Sequence, residues 1–585
     1  MEFTKEQLQY IQHANITENI FLNACPGSGK TETIAQRVAN EIESWKSSAQ
    51  GIAVLSFTKS AAKELEHRIK TKLKDGTIFP HFVGTFDSFI LKNIVNPLAK
   101  DISDYQGDRG DYSFKIVNYE SNLYFHTKYS YAKQKISGHH VEIDARNNKL
   151  KFHTPDQGRN RLLNSMSFLE WQVDDIYNAK NKCLNAGFIT HNDISYLAEA
   201  ALTRYEETKD YAKKLALKYQ LIIIDECQDL SFEQLTILKA MLVNGSKLHF
   251  VGDLNQAIYD FRDVDPNDIV QFISNNDFTE IKLTKNFRSC QKIVNIATTI
   301  MDSSPIEANF ENEESSCLIL QYNQSPAEVM KRFHQLTEKY KNRVIVARGH
   351  QLLMGLSTVN STPNSSTEYL LSSVLNFDEK DYSKINQSLI YLSKFLKNKI
   401  KIETTSSEFN CPQVINSELK WKIFLYKILI HLRVNGLNED CNWSAWCKKF
   451  NKIIVDLYKE NFLLTEIYDF FKDTDFSIRS PNKMGNTCVS NYRIENSFSY
   501  PNLRKSTIHG VKGETHDVTM LISNPTRLGG KDSHWSYWLR NPDSEAARLA
   551  YVASSRPKHI LIWCVKKLKP LEQEELKQVG FSILM

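Results

Sequence analysis

Phe21-Leu22-Asn23-Ala24-Cys25-Pro26-Gly27-Ser28-Gly29-Lys30-Thr31 is the stretch on which the fold class turns. Phe21–Ala24 is a short apolar run of strand type, and the residues after Thr31, Glu32–Glu41, carry a helical pattern. A glycine-rich turn between a strand and a helix is the setting of a phosphate-binding loop. There the glycines let backbone N–H groups turn inward onto phosphate oxygens, Lys30 reaches the β- and γ-phosphates, and the Thr31 hydroxyl ligates Mg²⁺. Ala24 stands where such loops usually begin with glycine. The candidate nucleotide-binding residues are therefore Ala24, Cys25, Pro26, Gly27, Ser28, Gly29, Lys30 and Thr31.

About 200 residues downstream, Leu221-Ile222-Ile223-Ile224-Asp225-Glu226-Cys227-Gln228-Asp229 ends an apolar run in two adjacent acids. Beside a phosphate loop, that pair predicts Asp225 as a Mg²⁺ ligand together with Thr31, and Glu226 as the group that polarises the attacking water.

Further apolar, β-rich runs at Ile52–Phe57, Leu248–Val251, Val344–Ala347, Val518–Ile522 and Ile560–Cys564 read as buried parallel strands, with helical patterns such as Ser60–Lys72 between them. They fall at residues 1–90, at 215–285, and at 340–348 with 505–570. Between them, 101–160 is rich in Tyr, Asp, Asn and Lys, 357–367 reads as a linker, and 380–475 reads as helical. The pattern predicts two α/β cores, each interrupted by an insertion.

The chain has 585 residues, 41% hydrophobic and 24% charged, enough for about four domains at ~150 residues each. This excludes disordered, collagen-like and coiled-coil chains. The formal charge of +5 permits a polyanionic partner without demanding one. The N-terminus is polar, and no apolar run approaches the ~20 residues of a spanning helix, so no membrane association and a cytoplasmic location are expected. The ten cysteines are scattered with no CxxC pair, which fits reduced, buried thiols.

The order of blocks resembles the UvrD/Rep/PcrA branch of superfamily 1 DNA helicases. Phe3-Thr4-Lys5-Glu6-Gln7 looks like the adenine-reading motif, Ser56–Ala62 like motif Ia and Gly84–Phe89 like motif Ib. Val251–Arg262 is similar to motif III, Leu283–Ser289 to motif IV, Thr507–Glu514 to motif V and Tyr551–Arg556 to motif VI. The chain departs from the pattern at Glu32, where many relatives carry Arg, at Asp87, where His is frequent, at Ser554-Ser555, and in motif V, where the glutamate falls one place early as Glu514.

This resemblance implies two RecA-like cores built on parallel sheets, each interrupted by an inserted, largely helical subdomain. The first core would span 1–95 and 190–280 with 96–189 inserted, and the second 281–350 and 500–585 with 351–499 inserted. It implies ATP and Mg²⁺ as cofactors, Gln7 as the adenine contact, Phe287 as a ring stacked on adenine, Gln256 as the γ-phosphate sensor and Glu514 as a ribose or phosphate contact. Arg288 and Arg556 match two arginine fingers. Phe57, Thr85, Tyr259, Phe261, Arg262 and His509 match positions that contact single-stranded DNA, where aromatic rings stack on bases. Lys394, Lys397, Lys399 and Lys401 offer a candidate duplex contact, with a solvated face as the alternative.

The implied activity is ATP-dependent 3′–5′ translocation and unwinding of DNA. A DNA-sensing ATPase that regulates a partner nuclease carries the same motifs, whereas a small-molecule kinase does not account for motifs III to VI. Only about 30 residues follow Arg556, so no C-terminal nuclease of the RecB or AddA type is expected. In layout the chain resembles helicase subunits of anti-phage systems such as Gabija, which act beside a separate nuclease of the OLD family.

Overall fold

The computed structural model describes residues 2–13, 17–47, 49–258, 264–310, 316–323, 325–354, 356, 366–400, 402–405, 407–415, 417–437, 441–457, 464–472, 474–480, 489, 503–526 and 533–584. The chain divides into two compact units. One comprises 1–323, 336–349 and 504–585, and the other 324–335 and 350–503.

The larger unit is a mixed α/β structure holding two six-stranded sheets. Strands β1 (Asn19–Ala24), β2 (Gly51–Ser56), β3 (Phe82–Thr85), β4 (Tyr219–Asp225), β5 (Lys247–Gly252) and β6 (Phe278–Leu283) form the first, in the order β6-β1-β5-β4-β2-β3, with every pair parallel. Helices α1 (Lys5–Ile11), α2 (Lys30–Ser44) and α3 (Lys59–Lys72) belong to its first segment. The composition of β4 explains its central place. Leu221 and Ile223 pack into one hydrophobic cluster with Ile34 and Val38 of α2, while Ile222 and Ile224 pack into another with Phe86 and Phe89. A strand covered on both faces must be apolar at every position, which is why its sequence is a continuous run and not an alternation.

The second sheet holds β7 (Ser316–Tyr322), β8 (Arg343–Ala347), β9 (Leu503–Thr507), β10 (His516–Ile522), β11 (Pro557–Lys566) and β12 (Ser582–Leu584), in the order β9-β8-β10-β11-β7-β12. The pairs β8–β10, β10–β11, β11–β7 and β7–β12 are parallel. Ile319, Val344, Val346, Leu521, Leu561 and Trp563 form its core with the helix before β11.

Residues 96–189 depart from the expected, largely helical insertion. Helices α4 (Gln157–Ser165) and α5 (Glu170–Asn185) are present, but they pack on two antiparallel hairpins, His126–Tyr131 with Gln134–Ser137 and Val141–Ile143 with Leu150–Phe152. Tyr131, Ile136, Val141, Phe152, Leu163 and Ile176 make a small core of their own there. Polar residues on the exposed hairpin faces disguise these short strands in the sequence.

The smaller unit is helical, with helices at Ser366–Asn376, Tyr382–Lys399, Glu418–Val434 and Trp443–Asp456 around Trp421, Trp443, Trp446 and Phe450. The expected linker at 357–367 lies outside the described residues except for its last two, which begin the first of these helices. Among the described residues no helix is long and apolar enough to cross a membrane, and the cysteines are free thiols.

Candidate nucleotide site

Parallel pairing brings the C-terminal ends of β1, β4 and β5 to one edge of the first sheet, where open α/β sheets place their ligands. β1 ends at Ala24 and runs into Cys25–Gly29, β4 ends at Asp225, and β5 ends at Gly252 beside Asp253. Gly27 and Gly29 hold left-handed φ values of 71° and 78°. Gly29 is the N-cap of α2 and supplies no side-chain acceptor, so the first amides of α2 are free of a cap. That is the state in which a helix N-terminus accepts an anion.

Lys30 opens α2, and its Nζ lies 3.3 Å from Oε1 of Glu226. Glu226 itself has φ 58°, a strained conformation for a residue other than glycine, and Nε2 of Gln228 donates to its carboxylate at 2.5 Å. Burial pushes the Asp225 carboxyl up to about 7, and the neighbouring Glu226 charge adds to it. Burial acts on Glu226 in the same sense, but Lys30, Lys512, Gln228 and Arg556 outweigh it and hold the carboxyl at about 2. The buried Asp225 carboxyl at the end of β4 and the half-buried Thr31 hydroxyl at the start of α2 are oxygen donors of the kind a hard divalent cation takes.

The cations come from two places, Arg556 just before β11 in the second sheet and Arg288 in the segment just past β6. Arg556 follows α6 (Glu545–Ser554) and is buried. Its guanidinium donates to Oε1 of Gln256 at 2.8 Å, to the Val552 carbonyl at 2.9 Å and to Oγ of Ser555 at 3.1 Å. Arg288 donates to the Ser555 carbonyl at 3.1 Å. Burial, followed by the Arg556 charge, lowers Arg288 to about 9, so it stays cationic at neutral pH. Among the described residues no carboxylate is hydrogen-bonded to the buried Arg556 or the half-buried Arg288, so the two guanidinium groups concentrate positive potential at this edge.

Several site residues escape the sequence reading. Oη of Tyr551 donates to Asp253 at 2.9 Å, and Nε2 of Gln256 donates to the same Asp253 oxygen at 2.8 Å. Lys512 donates to both oxygens of Asp229 at 2.7 and 2.6 Å and to the Gln256 carbonyl at 2.9 Å. Burial raises Asp229 to about 6 against the pull of Lys512. Tyr551, Asp253, Asp229 and Lys512 all lie inside motif-like blocks, so the signal was present in the sequence. The contacts that give them meaning were not.

The remaining expected residues are placed as follows. Gln7 is buried, donates from Nε2 to the Ser28 carbonyl at 3.0 Å and accepts from the Thr4 N–H at 2.8 Å, so it braces the loop. The Phe287 N–H donates to the Gly27 carbonyl at 2.9 Å, and Asn286 donates to the Pro26 carbonyl at 2.6 Å. Burial, with the Asp253 charge, pushes the Cys25 thiol up to about 12, which makes it inert. The Glu514 carboxylate is held by Arg504 at 2.9 Å and by His516 at 3.0 Å. Glu32 is neutralised by Arg68 and Lys72 of α3.

Of the expected strand-contacting residues, Phe57 is half-buried and lies next to Ser56, which pairs with Thr85 at the ends of β2 and β3. Thr85 also caps the following helix by accepting from the Ser88 N–H. The His509 ring lies 2.9 Å from the Ile258 carbonyl. Tyr259, Phe261 and Arg262 lie outside the described residues. The lysine stripe is partly committed. Lys397 donates to Asn410 and Lys399 to the Asp475 and Ser477 carbonyls, while Lys394 sits over the Tyr369 ring. The helix ends at Lys399, and Lys401 lies outside the described residues.

Comparison with known proteins agrees with the motif order. Residues 3–277 match the family model described as the UvrD/REP helicase N-terminal domain. The chain is 25% identical over 294 residues to the ATP-dependent DNA helicase Rep of Escherichia coli, covering 50% of this chain and 42% of that protein. It is 26% identical over 300 residues to the ATP-dependent DNA helicase PcrA of Staphylococcus epidermidis, covering 48% and 38%. It is also 26% identical over 311 residues to the Gabija protein GajB of Bacillus cereus, covering 52% and 49%. The match therefore spans less than half the length of each of these relatives.

Proposed function

We propose that this UvrD/Rep/PcrA-like chain is an ATP-dependent DNA helicase in which two RecA-like cores close on ATP and move along single-stranded DNA in the 3′–5′ direction. The cores are read as 1–95 with 190–280 and 281–350 with 500–585, and the insertions as 96–189 and 351–499. The observation that carries this reading is that Glu226, with Lys30 and Asp225 at the edge of the first sheet, interacts electrostatically with Arg288, just past β6, and with Arg556, just before β11 in the second sheet.

In this scheme the amides of Gly27–Thr31 and Lys30 bind the β- and γ-phosphates, which frees Lys30 from Glu226. Thr31 and Asp225 would hold Mg²⁺, which when bound supplies neutralising charge at the phosphates. Glu226 then orients the attacking water and takes its proton. Arg288 and Arg556 stabilise the charge that develops on the transferred phosphoryl group. Gln256 senses the γ-phosphate, Gln7 and Phe287 hold the adenine, and Glu514 lies near the ribose. Phe57, Thr85, Tyr259, Phe261, Arg262 and His509 line the DNA track.

The likeness to a Gabija protein supports a second reading, a DNA-sensing ATPase that serves a separate nuclease of the OLD family in the cytoplasm and unwinds little by itself. Strand displacement on a 3′-tailed duplex, with and without proteins co-purified from the native host, separates the two.

A further inference from the structure

We propose that the hairpin His126–Tyr131/Gln134–Ser137 and the start of α5 form a second single-stranded DNA contact, with Tyr129 and Trp171 as the base platform and Lys128, Lys133 and Lys135 as the phosphate contacts. It rests on the reading of the chain as a DNA-dependent ATPase.

Tyr129 and Trp171 meet edge to face, with ring centroids 5.2 Å apart, although Tyr129 is 56% exposed and Trp171 is 50% exposed. Large aromatic rings left half in water on a rigid support are what base stacking requires. The support is built. Asp175 of α5 is buried and accepts from the Lys128 N–H at 2.8 Å, the Tyr129 N–H at 3.1 Å and Oη of Tyr131 at 3.1 Å. The pairing register shifts between His126 and Ser130, a bulge that turns Tyr129 outward while Thr127 and Tyr131 stay buried.

Charge selects the occupant. Residues 126–161 hold eight Lys or Arg against three Asp or Glu, a formal charge of +5 equal to that of the entire chain. Lys128, Lys133 and Lys135 are exposed on the hairpin. Two exposed acids of α5, Glu170 and Asp174, flank Trp171, while the buried Asp175 is taken up by the hairpin's backbone, so the hairpin and not the helix carries the phosphate contacts. A basic hairpin beside exposed rings fits an unpaired, sequence-tolerant strand, whose backbone and bases are read separately.

The test uses the full chain and a fluorescein-labelled 20-residue oligothymidylate at several salt concentrations. Replacing Tyr129→Ala with Trp171→Ala should weaken binding about fivefold or more, while Tyr129→Phe with Trp171→Phe should stay within about twofold. Replacing Lys128→Glu, Lys133→Glu and Lys135→Glu, all at exposed positions, should reduce the slope of log affinity against log salt by about 2, at ~0.7 per phosphate on single strands. Basal ATPase should not change in any of them. Wild-type affinity and salt slope in both the alanine and the glutamate variants would overturn the inference and leave the motor reading standing. A changed oligomeric state by light scattering with unchanged DNA affinity would overturn it in favour of a self-association face. A wild-type chain that neither binds the oligonucleotide nor raises its ATPase with it would overturn both.

Discussion

Arg556 donates to Oε1 of Gln256 across 2.8 Å, and this bond helps join the end of α6 to the turn after β5, 300 residues away in sequence. The same glutamine donates from Nε2 to Asp253, which Tyr551 of α6 holds. A sensor glutamine fixed at both ends of its amide cannot rotate without disturbing an arginine that would face the γ-phosphate. Arg556→Ala is therefore expected to cut ATP turnover by about 10³-fold with a modest change in KM, as loss of an arginine finger does, and steady-state ATPase assays check it. Wild-type turnover would remove Arg556 from the catalytic set.

Tyr551→Phe deletes only the hydroxyl that reaches Asp253. The loss of a hydrogen bond to a buried carboxylate should cost about 1–3 kcal/mol in urea denaturation. Because Asp253 then keeps the Gln256 amide and the Asn255 N–H as donors but loses the one from α6, kcat should fall about tenfold while KM changes little. Unchanged kcat with lowered stability would make Tyr551 purely structural.

Gly27→Ala tests the closeness of the loop. A Cβ at Gly27 would stand 2.7 Å from Cβ of Arg288, and the φ of 71° is itself strained for alanine. The left-handed conformation alone costs roughly 1–2 kcal/mol. The variant should lose at least about that much stability by urea denaturation and lose nucleotide binding by fluorescence titration. Wild-type stability together with wild-type binding would show that the 286–288 segment does not close on the loop.

The two chemical roles of the acidic pair separate with pH. The folded-state value of Asp225 is raised to about 7, against about 3.9 unfolded, so the folded chain binds more protons between those values and stability falls as pH rises through that window. Asp229, raised to about 6, acts in the same direction. Glu226, held at about 2, has the opposite sign, and its contribution is lost only as pH falls from about 4.5 toward 2. Between pH 5 and 8 the Tm of Asp225→Asn relative to wild type should therefore rise with pH. A constant difference in differential scanning fluorimetry would contradict the assignment.

Much of this architecture is legible in the chain because buried interior strands must be apolar throughout. β4 and β10 are examples, each with its apolar run at the centre of a sheet. β6 is not legible, since it lies at a sheet edge with exposed Thr279, Glu280 and Lys282. β3, β9 and β12 are edges as well. β7 is interior, but its apolar run is only Cys317–Leu320, too short for periodicity to tell from a buried helical turn. In the candidate site, Lys30 and Asp225 are legible because a few adjacent residues define them. Lys512 with Asp229 and Tyr551 with Asp253 are not, because the partners lie 283 and 298 residues apart and only the folded sheets bring them together.

The central claim is that hydrolysis at the edge of the first sheet drives movement on DNA, so the most direct measurement is ATP turnover with and without single-stranded DNA, made alongside displacement of a 3′-tailed duplex. Turnover should rise at least tenfold on adding single-stranded DNA, and the tailed strand should be released only with hydrolysable ATP and not by Glu226→Gln. Turnover indifferent to DNA, with no strand release at any ATP concentration, would contradict the account.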